Sequence, residues 1–232
     1  MYLLTETASP FALERWAAFF ANFGQFAKGF FYTLGISIGA LIVALLLGLI
    51  FGAMSSTHNK VLRGISRVYV EIFQNTPLLV QFVVVFYGIS ILTDGHVMIP
   101  ISLTAILCVG VYTGAYISEI IRTGIEAVPK GQTEAALSQG FTYADTMRII
   151  SLPQAVRTIL PPLTNQVVNL IKNTSTVAII SGADIMFTAK AWAYDTTNYV
   201  PAFAGAAFLY FIMCFPLATW ARRKEEENKK AY

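Results

Sequence analysis

The sequence predicts an all-α, polytopic membrane protein with five transmembrane helices, its N-terminus outside and its C-terminus inside. Three observations carry this prediction. The 232 residues are 56% hydrophobic and 12% charged, against about a quarter charged in soluble domains. Five segments, at 29–54, 68–92, 97–121, 158–182 and 197–221, meet the length of about 20 predominantly apolar residues that a helix needs to span a bilayer. Lysine and arginine are one-sided: twelve lie in the 55–67 and 122–157 connections and the tail, and three (Arg15, Lys28 and Lys190) lie opposite, with Lys172 in the membrane. The positive-inside rule makes the first side cytoplasmic.

The organisation follows in chain order. Residues 1–28 form an external N-terminal segment, in which "FALERWAAFFANFGQFA" reads as an aromatic-rich interfacial helix, too short and polar to span. The opening "MYLLTETASP" contains Glu6 and lacks a basic start, so no cleavable signal is expected. Residues 29–221 form the membrane domain, with a cytosolic loop at 122–157, and 222–232 form a charged cytosolic tail. In the first span, Gly35 and Gly39 have the GxxxG spacing that permits close helix approach. In the second, Pro77 frees a carbonyl and predicts a kink at "NTP" that opens a gap. The third ends in Glu119 with Arg122 one turn on, so the carboxylate is expected either to snorkel to water or to pair with Arg122.

The fourth span is the most polar. Asn165, Asn169, Lys172 and Thr176 recur at helical spacing and so share one face. Interhelical hydrogen bonding accounts for one or two such groups, whereas a stripe containing a lysine near mid-membrane points to a water-filled path. Cys108 and Cys214 lie in separate spans without a CxxC spacing and read as small apolar side chains.

Catalytic and metal chemistry find no footing. His58 and His96 are the only histidines and lie on opposite sides, so neither an HExxH pair nor a Ser-His set assembles, and no metal site is expected. There is no Walker loop, hence no nucleotide site on this chain, and no basic, aromatic-interleaved patch for nucleic acid. The stretch "EAALSQGFTYADTMRIISLP" at 134–153 is too polar to span and belongs to a cytosolic loop too long for a simple turn. Gln132–Leu137 reads as a short helix with Thr133 as its cap. Gly140 breaks it, and Thr142 caps a second helix with Asp145 at its third position. Pro153 is expected to end that second helix before the fourth span. A rigid elbow of this kind, part apolar through Leu137, Phe141 and Met147, suits a partner's groove; a hairpin resting on the membrane surface fits the same pattern.

On these residues the chain resembles the permease subunits of bacterial ABC importers. Glu134, Ala135, Ala136, Gly140, Ile150, Leu152 and Pro153 reproduce the spacing of their "EAA" loop. The segments "NTPLLVQ", "GAYISEIIRTGI", "VPKGQTEAA", "LPQAVR" and "NLIKNTS" are similar to the polar amino-acid branch, the histidine/glutamine permease-like one, over roughly residues 25–222. The resemblance implies a type I permease fold and a coupling helix, here carrying Glu134, Ala135, Ala136, Gly140, Phe141 and Arg148, docked in a cleft of a cytosolic ATPase. It also implies two ATPase subunits that hold ATP and magnesium, a second permease copy or a sister permease, and an extracytoplasmic substrate-binding protein. The expected location is the bacterial cytoplasmic membrane. The expected substrate is a polar amino acid, glutamine- or glutamate-like, moved by alternating access along Thr76, Glu119, Asn165, Asn169 and Lys172. Gln74 and Asn173 depart from the branch, standing where relatives often carry a cation and an anion. An ion-coupled secondary transporter or channel is the rival reading; it would need a coupling-ion site of its own, and five spans do not divide into equal inverted halves.

Overall fold

The computed structural model describes residues 9–230; the first eight residues, with most of "MYLLTETASP", and the last two of the tail lie outside the described residues. In order, the helices are α1 (Leu13–Ala21), α2 (Phe23–Ser55), α3 (Lys60–Gln74), α4 (Leu78–Val83) continued by a π turn into α5 (Ile89–Leu92), and α6 (Ile101–Glu126). Then come α7 (Lys130–Ser138), α8 (Tyr143–Asp145) continued by a π turn over Thr146–Ser151 into α9 (Leu152–Asn173), a 3₁₀ turn over Thr174–Ile180, α10 (Ile185–Thr196) and α11 (Tyr199–Lys230). Three helices are long and apolar enough to cross a membrane alone: α2, α6 and the Tyr199–Glu226 part of α11. A fourth crossing is available if α3 and the Leu78–Leu92 segment, bent by 96° at their junction, count as one broken span.

The centre of the fold is the α2–α6 pair, and small residues set its spacing. Ala40, Ala44, Gly48 and Gly52 recur every four residues along α2 and are buried. A Cβ on Gly48 would sit 2.4 Å from Ile117 Cγ2, and one on Gly110 would sit 2.7 Å from Val43 Cβ. The backbones are therefore closer than any side chain at those positions allows. Gly39 takes part, against Ile106, but Gly35 faces open space, so the expected Gly35–Gly39 pair is half correct. The tight face is the one occupied by α6, which Gly39, Gly48 and Gly52 share and Gly35 does not.

The contacts also fix direction. Gly39 meets Ile106, Val43 meets Gly110, Gly48 meets Ile117 and Gly52 meets Ile121, so α2 and α6 run parallel. The chain between them must return the full length. Gly124 packs on Ile159 and Gly182 on Ile101, so α9 and its 3₁₀ extension run antiparallel to α6 along its whole length, although α9 is too polar to pass as an apolar span. Two cores result: one between α2, α4, α6 and α9, including Phe82, Ile117 and Leu170, and a second joining Phe19, Phe26, Trp192 and Leu209. The second core holds α1 in place, because Phe19 fills the space over Gly205 and Arg15 donates to Thr197 O at 2.8 Å. Residues 13–21 thus pack on the helix bundle as well as presenting exposed Leu13 and Phe20.

The break in the second span is sharper than a proline kink. Thr76 Oγ1 donates to Ile72 O, and the Gln81 amide reaches back to Phe73 O, Thr76 O and Thr76 Oγ1 at 3.2, 3.2 and 2.9 Å. These bonds satisfy the end of α3, which lets the chain turn there without orphaned groups. Gln81 was not singled out in the sequence, yet it is the staple of the break.

Candidate functional site

The 127–151 loop folds as the two-armed elbow expected of it, with three local details, of which the first and third depart from expectation. First, α7 starts at Lys130 behind Pro129, and Thr133 sits inside the helix instead of capping it. Pro129 at the cap position supplies a fixed φ, and the first-turn N–H groups at exposed Lys130 and Gly131 lie where water can satisfy them in place of a hydroxyl. Second, α7 closes in a Schellman arrangement: Phe141 N–H donates to Ala136 O at 3.1 Å and Gly140 N–H to Leu137 O at 3.0 Å. That closure needs a left-handed residue, and Gly140 supplies it with φ +89°. Third, Pro153 does not end the second arm. From Thr142, whose hydroxyl accepts from Asp145 N at 3.2 Å, the helix continues through the π turn into α9, with Pro153 in the first α-helical turn of α9. The π turn shifts the hydrogen-bond register just where proline lacks a donor, so the chain passes the proline unbroken.

The elbow presents a surface. Ala136 is turned inward at 3% exposure, whereas Glu134, Ala135, Leu137, Gly140, Phe141 and Arg148 are exposed. Behind Glu134 is a cavity of about 650 Å³ that also borders His58, Lys130, Tyr143 and Met147. The His58 ring meets Tyr143 edge-on at 5.6 Å, tying the α2–α3 connection to the second arm. Gly124, at the base of α6, packs against Ile159 in α9 so closely that a Cβ would lie 2.3 Å from Ile159 Cγ1. The elbow therefore stands on a rigid base.

The residues expected along a pathway are not drawn together within one chain. Glu119 pairs with Arg122, as expected, and Arg122 also reaches Glu126 at 2.5 Å. This group borders a cavity of about 410 Å³ between α3 and α6 that includes Gln74, whose amide donates to Ala115 O at 3.2 Å. Thr76 is exposed and engaged at the helix break. Asn165, Asn169 and Lys172 stand on the uncovered face of α9, opposite the buried Leu170 and Ile171, with Thr176 half-buried. Lys172 leans toward α11, where it borders a small cavity with Ser175, Met186 and Tyr210. The polar stripe is real, and it faces away from the bundle.

A polar centre that the sequence reading missed joins α2, α10 and α11. Asp184 is fully buried as the N-cap of α10, accepting from Phe187 N at 2.8 Å and from Tyr210 Oη at 3.0 Å, while Thr33 Oγ1 accepts from Ile185 N at 3.2 Å. Burial pushes its carboxyl up to about 6, the hydrogen bonds from Phe187, Met186 and Tyr210 opposing that rise. The signal was available: an aspartate directly before "IMF" is a helix-start pattern. Among the described residues no group of histidine, cysteine or carboxylate side chains is arranged to hold a metal.

Comparison with known proteins agrees with this geometry. Residues 44–225 match the family described as binding-protein-dependent transport system inner membrane component. The chain is 36% identical over 216 residues to the probable glutamine ABC transporter permease protein GlnM of Bacillus subtilis, covering 92% of this chain and 97% of that one. It is 33% identical to the glutamate/aspartate import permease protein GltJ of Escherichia coli, covering 82% and 85%. A solved chain described as an amino acid ABC transporter with histidines superposes with a TM-score of 0.84 at 30% identity, covering 91% of this chain and 98% of that one.

Proposed function

This chain belongs to the family of binding-protein-dependent transport system inner membrane components, and from that premise we propose that it is the transmembrane permease subunit of an ATP-driven ABC importer for polar amino acids. The observation that carries the mechanism is the elbow: a glycine-closed turn displaying Glu134, Ala135, Phe141 and Arg148 on a rigid base. In this reading the elbow docks in a cytosolic ATPase. Two ATPases close on ATP and magnesium, the elbows approach each other, and a pair of permeases opens toward a loaded external binding protein. The second permease is another copy or a sister chain.

The chain makes five crossings with its N-terminus outside, in the bacterial cytoplasmic membrane. Support comes from helix direction. Because α2 and α6 are parallel, the broken α3–α5 segment must cross back; because α9 runs antiparallel to α6, it crosses too, and α11 makes the fifth. The basic residues then place the elbow in the cytosol. The uncovered polar face of α9 is the wall of the path, completed by the second permease. Asn165 and Asn169 offer donors and acceptors without fixed charge, Lys172 adds a cation, and Thr76 and Glu119 lie at the path's broken-helix and cytosolic ends. That lining favours a glutamine- or glutamate-like substrate, the class named for the relatives GlnM and GltJ.

Proteoliposomes containing this chain, its ATPase and its binding protein test the reading. ATP-dependent glutamine uptake that requires all three is expected, with Asn169→Asp moving preference toward arginine and lysine. Uptake driven by an ion gradient through the chain alone would replace the importer with the secondary-transporter reading. Equal competition by arginine and glutamine in both forms would remove Asn169 from the path.

A further inference from the structure

The cavity between α3 and α6 has an ordered charge distribution. On the α3 wall are Arg63, Arg67 and Glu71; on the α6 wall are Glu119, Arg122 and Glu126. The first wall holds two cations and one carboxylate, and the second one cation and two carboxylates. The cavity as a whole is neutral, but it carries an excess positive charge on one side and an excess negative charge on the other. All the ion pairs that border it are within a helix: Arg67 with Glu71, and Arg122 with Glu119 and Glu126. No ion pair among the described residues crosses from one wall to the other, and Arg63 has none. What joins the walls is neutral, Tyr69 Oη donating to Val111 O and Gln74 to Ala115 O. The excess charges therefore face each other with space between them.

We propose that this cavity is a vestibule for a zwitterionic amino acid of zero net charge, its α-carboxylate on the Arg63–Arg67 wall and its α-ammonium on the Glu119–Glu126 wall. A zwitterion satisfies both excesses and leaves the cavity neutral. An anionic or cationic amino acid satisfies both as well but leaves one charge over, so glutamine is preferred to glutamate and to lysine. At about 410 Å³ the cavity has room for one such molecule and its water. The α3 wall is open, with the Arg67 and Glu71 side chains 79% and 57% exposed. Pairs so exposed hold weakly, so the dissociation constant is on the order of millimolar, as suits a place where a substrate leaves. The inference rests on the transport reading and orientation proposed above, which make this the cytosolic end of the path.

The test is equilibrium dialysis of radiolabelled glutamine, glutamate and lysine against the purified permease–ATPase complex without binding protein. The expected result is saturable glutamine binding several-fold tighter than that of the other two. Arg63→Gln should turn the preference toward lysine, and Glu126→Gln should turn it toward glutamate, each by about three- to tenfold for one charge in a wet site. If one variant fails to assemble, the other carries the same test from the opposite wall. No saturable binding, or a preference that neither variant moves, overturns the vestibule. So does binding that Asn169→Ala abolishes while the charge variants leave it unchanged, which assigns it to the α9 face. Glycerophosphoethanolamine displacing glutamine better than alanine does would make the ligand a zwitterionic lipid headgroup instead and overturn the amino-acid assignment. Binding is read without ATP or transport, so a failure here is separable from a failure of ATP-driven uptake.

Discussion

Gly140 offers the sharpest test of the elbow. Its φ is +89°, and a Cβ built there meets nothing within 4 Å. Steric crowding by neighbours is therefore absent, and the whole cost of a side chain is conformational. An alanine in a left-handed conformation costs about 1–2 kcal/mol, and a β-branched residue held in so sparse a region about 2–3 kcal/mol. Asparagine, which visits positive φ most readily after glycine, costs less than alanine. At about 1.4 kcal/mol per decade, Gly140→Val lowers the population of the native elbow by about 30- to 150-fold relative to alternatives, whereas Gly140→Asn lowers it by less than about tenfold. The assay is substrate- and binding-protein-stimulated ATP hydrolysis in proteoliposomes, with membrane insertion checked separately. Coupled activity should fall in the order Gly, Asn, Ala, Val, with insertion unchanged. Equal activity of the valine and glycine forms would refute the reasoning, because nothing but the backbone conformation ties residue 140 to the turn.

Three other outcomes are expected. Gly48→Ala places a methyl 2.4 Å from Ile117 Cγ2 and should lower stability by about 1–3 kcal/mol, while Gly35→Ala, facing open space, should be near neutral; melting temperatures of the two variants in one detergent separate these. Asp184, whose carboxyl is raised from 3.8 to about 6, makes a contribution that is full below the unfolded value and lost as pH rises through 6, about 3 kcal/mol at most, so stability should decline between about pH 4 and 6.5 with a slope that Asp184→Asn flattens. A melting series over that range reads the sign directly, and a steeper slope in the variant would contradict it. A cysteine replacing Asn59 in the α2–α3 connection should be protected from an impermeant thiol reagent in intact cells and labelled in inverted vesicles; the reverse pattern would invert the topology.

Much of this was legible because local rules acted alone. Gly140, the Thr142 cap and the Glu119–Arg122 pair depend on residues within one or two turns, and each was read from spacing and met in the structure. The break at Asn75–Pro77 was legible as a kink, but not as a 96° turn, because the turn depends on Gln81 satisfying three oxygens from the other side of the proline. Pro153 misled for a related reason: proline stops a helix only when the freed groups have no alternative register, and the π turn provides one. The glycine repeat misled differently. Both Gly35–Gly39 and Gly48–Gly52 have the right spacing, and only the position of α6 decides which one is a contact. Nor does a single chain assemble the pathway: the α9 stripe is readable from its period, but what lies opposite it belongs to another subunit in the proposed importer.

The division of the bundle into tight and loose contacts gives the proposed coupling a physical route. A displacement at the elbow reaches first the place where α6 and α9 meet, and there Gly124 against Ile159 leaves no slack. From that point α6 is locked to α2 through Gly48, Gly52, Gly110 and their partners, so α2, α6 and the first turns of α9 must move as one body. By contrast, α3 is buried only at Ser66 and Tyr69. Tyr69 packs on Gly114 of α6, where a Cβ would lie 2.7 Å from the Tyr69 Oη, and Ser66 donates to Phe51 O of α2. The remaining tie to α6 is the Gln74 amide, the α3 ion pair being internal. The α3–α6 boundary is thus pinned at Tyr69 and Gln74 and open beside them, where the charged cavity lies. Motion of the rigid body changes the width of that cavity, and with it the distance between an excess of positive and an excess of negative charge. As the walls approach, the two opposite excesses of charge offset each other, and a ligand bridging them loses both of its partners. Closing the cavity and expelling a zwitterion are in this geometry the same event. It predicts that a disulfide linking cysteines introduced on α3 and α6 across this boundary arrests transport, whereas a disulfide between α2 and α6, already one body, leaves it running.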